Sequence, residues 1–107
     1  MTTPRIALPE ISESQASKYL THNDALRILD ALAQPVVQAS TNTPPGSPSN
    51  GQCWIVTATA TGAWTGQETK IAQYYGAAWH FIAPTNGFAF WDIAAAALKR
   101  FNGTAWA

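Results

Sequence analysis

Apolar positions in the first third of the chain recur at helical spacing. Tyr19, His22, Leu26, Leu29, Ala33 and Val36 are separated by three and four residues alternately, the spacing of a seam along one helix face. Leu20 and Leu32 widen that face. Ser12-x-x-Gln15 and Thr21-x-x-Asp24 both have the form of a capping box, in which side chains satisfy the N–H groups of a first turn. Two start signals predict a short helical turn, a break near Thr21 and a main helix over about 22–34, ended by Pro35. The seam fits either an amphipathic helix on its own sheet or a helix at the axis of a symmetric bundle.

Beyond residue 52 the period changes to that of strands. Runs rich in β-branched and aromatic residues predict strands over about 52–58, 69–75, 78–83 and 88–91, with turns at Tyr75-Gly76-Ala77 and Pro84-Thr-Asn-Gly87. Residues 92–100 carry a run of alanines that helix propensity alone would make a helix. The run is short, lies between aromatic segments and leads into Asn102-Gly103, so a turn near 92–96, a strand over 97–102 and a final strand over 104–107 are expected instead. A repeat supports this. Tyr74-Tyr-Gly-Ala-Ala-Trp79 and Phe101-Asn-Gly-Thr-Ala-Trp106 share the pattern aromatic-x-Gly-x-Ala-Trp, and Gly62-Ala-Trp64 echoes its second half. Each copy sets an aromatic on either arm of a turn, where the two rings can face each other across the strands.

The organisation that follows is an α+β chain. An extended N-terminal arm and one main helix occupy 1–37, a Pro/Ser/Thr linker 38–52, and a small antiparallel β meander of aromatic hairpins 53–107. Pro4 and Pro9 disfavour helix in the arm, and Ile6, Leu8 and Ile11 make it apolar; it either folds back on its own domain or lies on a neighbour. Three prolines and two glycines in 38–52 predict no regular structure there.

Composition narrows the function. Six basic and six acidic residues cancel, which argues against a nucleic-acid surface. Only 11% of residues are charged while five are Trp, so much of the surface is expected to be covered, by copies of the chain itself or by a partner. No apolar run reaches the length of a membrane span, and no basic-then-apolar leader opens the chain, so synthesis in the cytoplasm is expected. Cys53 is the single cysteine, so no internal disulfide forms; as a half-buried small hydrophobe it needs no further role. His22 and His80 lie in different elements, and no nucleophile–base pair, paired carboxylates or phosphate loop is legible, so no enzyme, metal or cofactor is expected. The Trp residues serve a core or an interface, or else a platform for sugar rings; Trp64, in its Gly-flanked loop, and Trp79 are the candidates for glycan contact.

The chain also resembles a known family. Leu8-Pro-Glu-Ile-Ser-Glu-Ser-Gln-Ala-Ser-Lys, Thr21-His-Asn-Asp-Ala-Leu-Arg-Ile-Leu-Asp-Ala-Leu, Pro44-Pro-x-Ser-Pro, Ala60-Thr-Gly-Ala-Trp-Thr-Gly and the closing Phe-Asn-Gly-Thr-Ala-Trp carry the likeness, in that order. The family is a domain of unknown function found in fibre and spike proteins of tailed phages and gene-transfer agents. The resemblance implies a non-enzymatic virion protein, a tail or head fibre or spike component or fibre adaptor. Its implied partners are copies of itself, by analogy in a homotrimer, and other proteins of the tail, baseplate or head vertex. Tyr19, Leu26, Leu29 and Ala33 are the expected oligomer interface and Ile6, Leu8 and Ile11 the attachment arm. The alternative is a carbohydrate-binding module that meets host surface glycans through exposed Trp. Because the sequence stops at the domain, neither a long shaft nor a dedicated receptor tip is expected.

Overall fold

The computed structural model describes residues 18–107, and side chains from residue 21 onward. The arm residues Ile6, Leu8 and Ile11 lie outside the described residues, as does the side chain of Tyr19. The chain divides into two compact units, residues 1–34 and 35–107.

Among the described residues of the first unit one helix, α1, runs Lys18–Ala33. The expected break near Thr21 does not occur. Neither Gly nor Pro falls inside this span, and a Thr in a helix costs only a few tenths of a kcal/mol, too little to interrupt a continuous run. Pro35 does stop the helix, because its ring excludes helical geometry at the preceding residue. Asp24 and Arg27 form an i,i+3 ion pair at 3.9 Å, with Asp24 largely in solvent.

The second unit holds seven short strands: β1 (Val36–Val37), β2 (Ser40–Thr41), β3 (Cys53–Val56), β4 (Ile71–Tyr75), β5 (Ala78–Ile82), β6 (Ala89–Asp92) and β7 (Ala97–Arg100). They form two sheets rather than the one meander expected, of order β1-β6-β7 and β2-β3-β4-β5. Within them β3-β4-β5 and β6-β7 are antiparallel, as the hairpin signals require. The turn Ala83–Phe88 moves the chain from one sheet to the other. Pro84 there has no N–H to continue a ladder, and Gly87 sits at φ +102°.

The segment 38–52, expected to be without regular structure, begins as a strand. Residues 35–41, β1 and β2 with a bend at Gln38 between them, serve both sheets. The Trp91 and Ile93 N–H groups donate to the Pro35 and Val37 carbonyls at 2.8 and 3.0 Å, on the side of β6. Then the Gln38 N–H donates to Cys53, and the Ile55 and Thr57 N–H groups to Ala39 and Thr41, at 2.8, 3.1 and 2.9 Å, on the side of β3. Both pairings are parallel. A buried side chain reinforces the joint: the Ser40 hydroxyl donates to Asp92 Oδ2 at 2.7 Å, and Asp92 is 2% exposed.

The alanine run is a turn, as its hairpin context predicts. Asp92 Oδ1 accepts the Ala95 N–H at 3.0 Å, and Ala96 closes the loop at φ +51°. An Asp side chain offering its oxygen to the backbone two or three residues on competes directly with helix formation. The final strand expected over 104–107 is reduced to one bridge, Phe101 to Trp106, flanked by the paired N–H···O bonds of Arg100 and Ala107.

Burial follows the pleat. β3 is buried at all four positions, so both of its faces are covered. Trp54 and Val56 point to one face, where Ala60, Trp64 and Ala72 complete a cluster and Ala39, Tyr74, Trp79 and Phe81 pack against it. Cys53 and Ile55 point to the other, in register with Gln73 and Ile71. Val37, Ile71, Ile82, Phe90 and Phe101 are buried as well.

Candidate functional site

The aromatic repeat places its rings as the pattern implies. Tyr74 and Trp79 are direct partners across β4 and β5, with centroids 5.2 Å apart, and Phe101 and Trp106 are partners across their bridge at 5.3 Å. The turns differ. Gly76 and Ala77 both sit at φ +60°, a two-residue turn of the kind that matches strand twist. Asn102 instead accepts the Thr104 and Ala105 N–H groups on Oδ1, both at 2.9 Å, and holds a wider loop.

The expectation that Trp64 is exposed is overturned. Trp64 is fully buried, in a short 3-10 turn over Gly62–Trp64. The loop between β3 and β4 folds back over the Trp54 face, and Trp64 meets Trp54 at 6.3 Å and Trp79 edge-on at 5.2 Å. The linker fixes this loop: the Thr61 N–H donates to the Asn42 carbonyl and Asn42 Nδ2 to the Thr59 carbonyl, both at 3.0 Å. A residue with no accessible surface cannot stack on a sugar, so Trp64 is a core residue. Trp79 is half-buried in the same cluster. The exposed indole is that of Trp91, at 45%.

Two apolar surfaces stand open in the single chain. On α1, Leu26 and Leu29 are 49% and 44% exposed, and Ala33, one turn further along that face, is exposed too. On the three-stranded sheet, Trp91 and Leu98 are cross-strand partners, both exposed, with Val36 next in register on β1.

The groups with chemical potential are few. Cys53 is buried, with its Sγ 3.7 Å from the Gly51 carbonyl. His80 shares a hydrogen bond with the Tyr75 carbonyl at 3.2 Å, and His22 is exposed on the helix. Among the described residues no three His, Cys, Asp or Glu side chains gather as metal ligands. None of their helices is long and apolar enough to cross a membrane.

Sequence reasoning missed one cleft. It has a volume of about 230 Å³ and is lined by Ser40, Thr57, Glu68, Thr69, Lys99 and Trp106 together with small and apolar residues. These come from β2, the β3–β4 loop, β7 and the last residues of the chain, so no local pattern gathers them. The Ala60 N–H donates to Glu68 Oε2 at 3.0 Å and, with the N–H groups of Glu68 itself and Gly66, holds this carboxyl below its ordinary value of 4.5. Trp106 Nε1 donates to the Thr69 carbonyl at 2.7 Å. Only Trp106 carried a sequence signal, as the last residue of the aromatic repeat.

An α+β chain whose β unit couples two small sheets through one shared segment, closed by aromatic hairpins, is the class these features define. Within it the chain belongs to the family described as proteins of unknown function, DUF2793, whose profile matches residues 22–107. No curated protein matches the chain.

Proposed function

We propose that this protein is a non-enzymatic structural component of a virus particle, a fibre, spike or fibre adaptor that assembles as a homotrimer and docks on the tail, baseplate or head vertex. The observation that carries the assembly is the α1 face. Two leucines a turn apart are left near half exposed in the single chain, at positions the seam spacing singles out. Three such helices around an axis bury Leu26, Leu29 and Ala33 against one another, and the sequence spacing adds Tyr19 to that seam. The exposed Trp91 and Leu98 pair is a second surface of the same character. The setting in a particle rests on the resemblance of the sequence motifs to phage fibre and spike proteins. The apolar arm, with Ile6, Leu8 and Ile11, supplies the attachment segment, since an extended chain can add backbone hydrogen bonds to a partner's strand edge.

Leu26→Asp tests the assembly. A charge placed in a desolvated seam costs several kcal/mol unless paired. Light scattering at micromolar concentration is expected to show a trimer for the native chain and a monomer for the variant, with near-ultraviolet Trp signals unchanged. A native chain that is monomeric under these conditions defeats the proposal.

A further inference from the structure

We propose that the cleft walled by Trp106, Glu68 and Lys99 is a binding site for a pyranose ring. The site is independent of the assembly reading, because every lining residue comes from the 35–107 unit.

The geometry of Trp106 points to the ligand class. Its one polar atom is already committed to the Thr69 carbonyl. Its ring is braced edge-on by Phe90, at 6.0 Å, and by Phe101 in a tilted contact at 5.3 Å. What this indole brings to the cleft is therefore a fixed carbon surface with its orientation set in advance, which suits the C–H face of a sugar. Around it stand groups of both hydrogen-bonding kinds. Glu68 is held ionised and accepts, Lys99 donates, and the hydroxyls of Thr57, Thr69 and Ser40 do either, although Ser40 has spent its proton on Asp92. Neither Glu68 nor Lys99 forms an ion pair with another described residue. A ring carrying neighbouring hydroxyls can satisfy a carboxylate and an ammonium together, through charge-assisted bonds that are stronger than neutral ones.

Other ligands fit less well. A phosphate group would meet the Glu68 charge with a single Lys to offset it. A metal ion would find one carboxylate. A wholly apolar molecule would strip water from Glu68 and Lys99 and give nothing back. The backbone adds an independent pointer. Thr69 lies at φ +72°, a conformation that a β-branched side chain rarely adopts. Such residues gather at ligand sites, where the surrounding structure imposes them.

The test is titration of the full chain with methyl glycosides of the common hexoses and N-acetylhexosamines, followed by the Trp indole N–H resonances. Trp106→Phe assigns the Trp106 signal. At least one glycoside is expected to shift that signal saturably, and Lys99→Ala and Glu68→Gln, each folded by its remaining indole signals, are expected to weaken binding tenfold or more. A free reducing sugar that binds while its methyl glycoside does not would identify a site for chain ends rather than internal units, and the pyranose assignment would stand. If no sugar moves the Trp106 signal, or if the shift persists in both variants, the proposal fails. It fails equally if inorganic phosphate shifts the signal and the sugars do not. A monomeric protein would give the same titration, so the outcome does not depend on Leu26.

Discussion

Trp64 is the largest fully buried side chain of the β unit. It has no exposed surface, touches two other Trp rings, and its Nε1 has no acceptor among the described residues. Truncating a large buried aromatic costs about 3–5 kcal/mol, so Trp64→Ala is expected to lower the urea midpoint steeply or to unfold the unit. Trp64→Phe is the finer probe. It loses volume but also removes a buried donor whose lack of a partner itself costs about 1–3 kcal/mol. The Phe variant is therefore expected to be clearly more stable than the Ala variant by chemical denaturation. Equal losses would show that the indole N–H has a partner in solution. This residue also marks a limit of sequence reading. A Trp between glycines in a loop looks exposed, because loops run over surfaces. Nothing local to Gly62-Ala-Trp64 reveals that the loop turns inward onto Trp54 and Trp79. The signal lay in the echo of the hairpin motif, whose other two Trp residues are also packed.

At the scale of elements, the hairpins were legible and the segment joining the sheets was not. Tyr74 and Trp79 are five residues apart, so their pairing is written in one stretch of chain. The same holds for Phe101 and Trp106, and for the alanine run, where Asp92 turns the backbone back before a helix can begin. Ser40 and Asp92 are 52 residues apart, and no local pattern can announce that a Pro-rich segment begins by pairing with two sheets. The helix was legible in its spacing and its C-terminal stop, while the break expected near Thr21 is absent, because a capping box is a permission to begin rather than an instruction. Asp92 is where the two sheets can be tested against each other. Asp92→Ala leaves the Ala95 N–H and the Ser40 hydroxyl without their acceptor and is expected to cost about 1–3 kcal/mol. Asp92→Asn keeps an oxygen for Ala95 and offers Ser40 a donor in exchange, and is expected to cost much less. Thermal unfolding of the two variants checks this; equal stability would mean that Asp92 acts by its charge alone.

For the whole molecule, the two compact units divide the proposed work. The helical unit presents the leucines proposed for assembly, and the β unit encloses its own aromatic cluster while keeping open a cleft of mixed apolar and polar lining. That Leu26 and Leu29 share one helix face was legible because helical spacing is a local property. The cleft was not, because Glu68, Lys99 and Trp106 are brought together only when both sheets and the closing turn are in place. The segment 35–41 that completes both sheets also sets the order in which the β unit can come together. Val36 pairs with Trp91 across 55 intervening steps of chain, whereas the hairpins close over a handful. Closing a long loop costs entropy that only later contacts offset. The hairpins are therefore expected to form first and the segment to enter last. Pulse-labelled hydrogen exchange during refolding should find the amides of β4 and β5 protected before those of Trp91 and Ile55, whose protection waits on the arriving segment; simultaneous protection would mean that the segment is part of the nucleus.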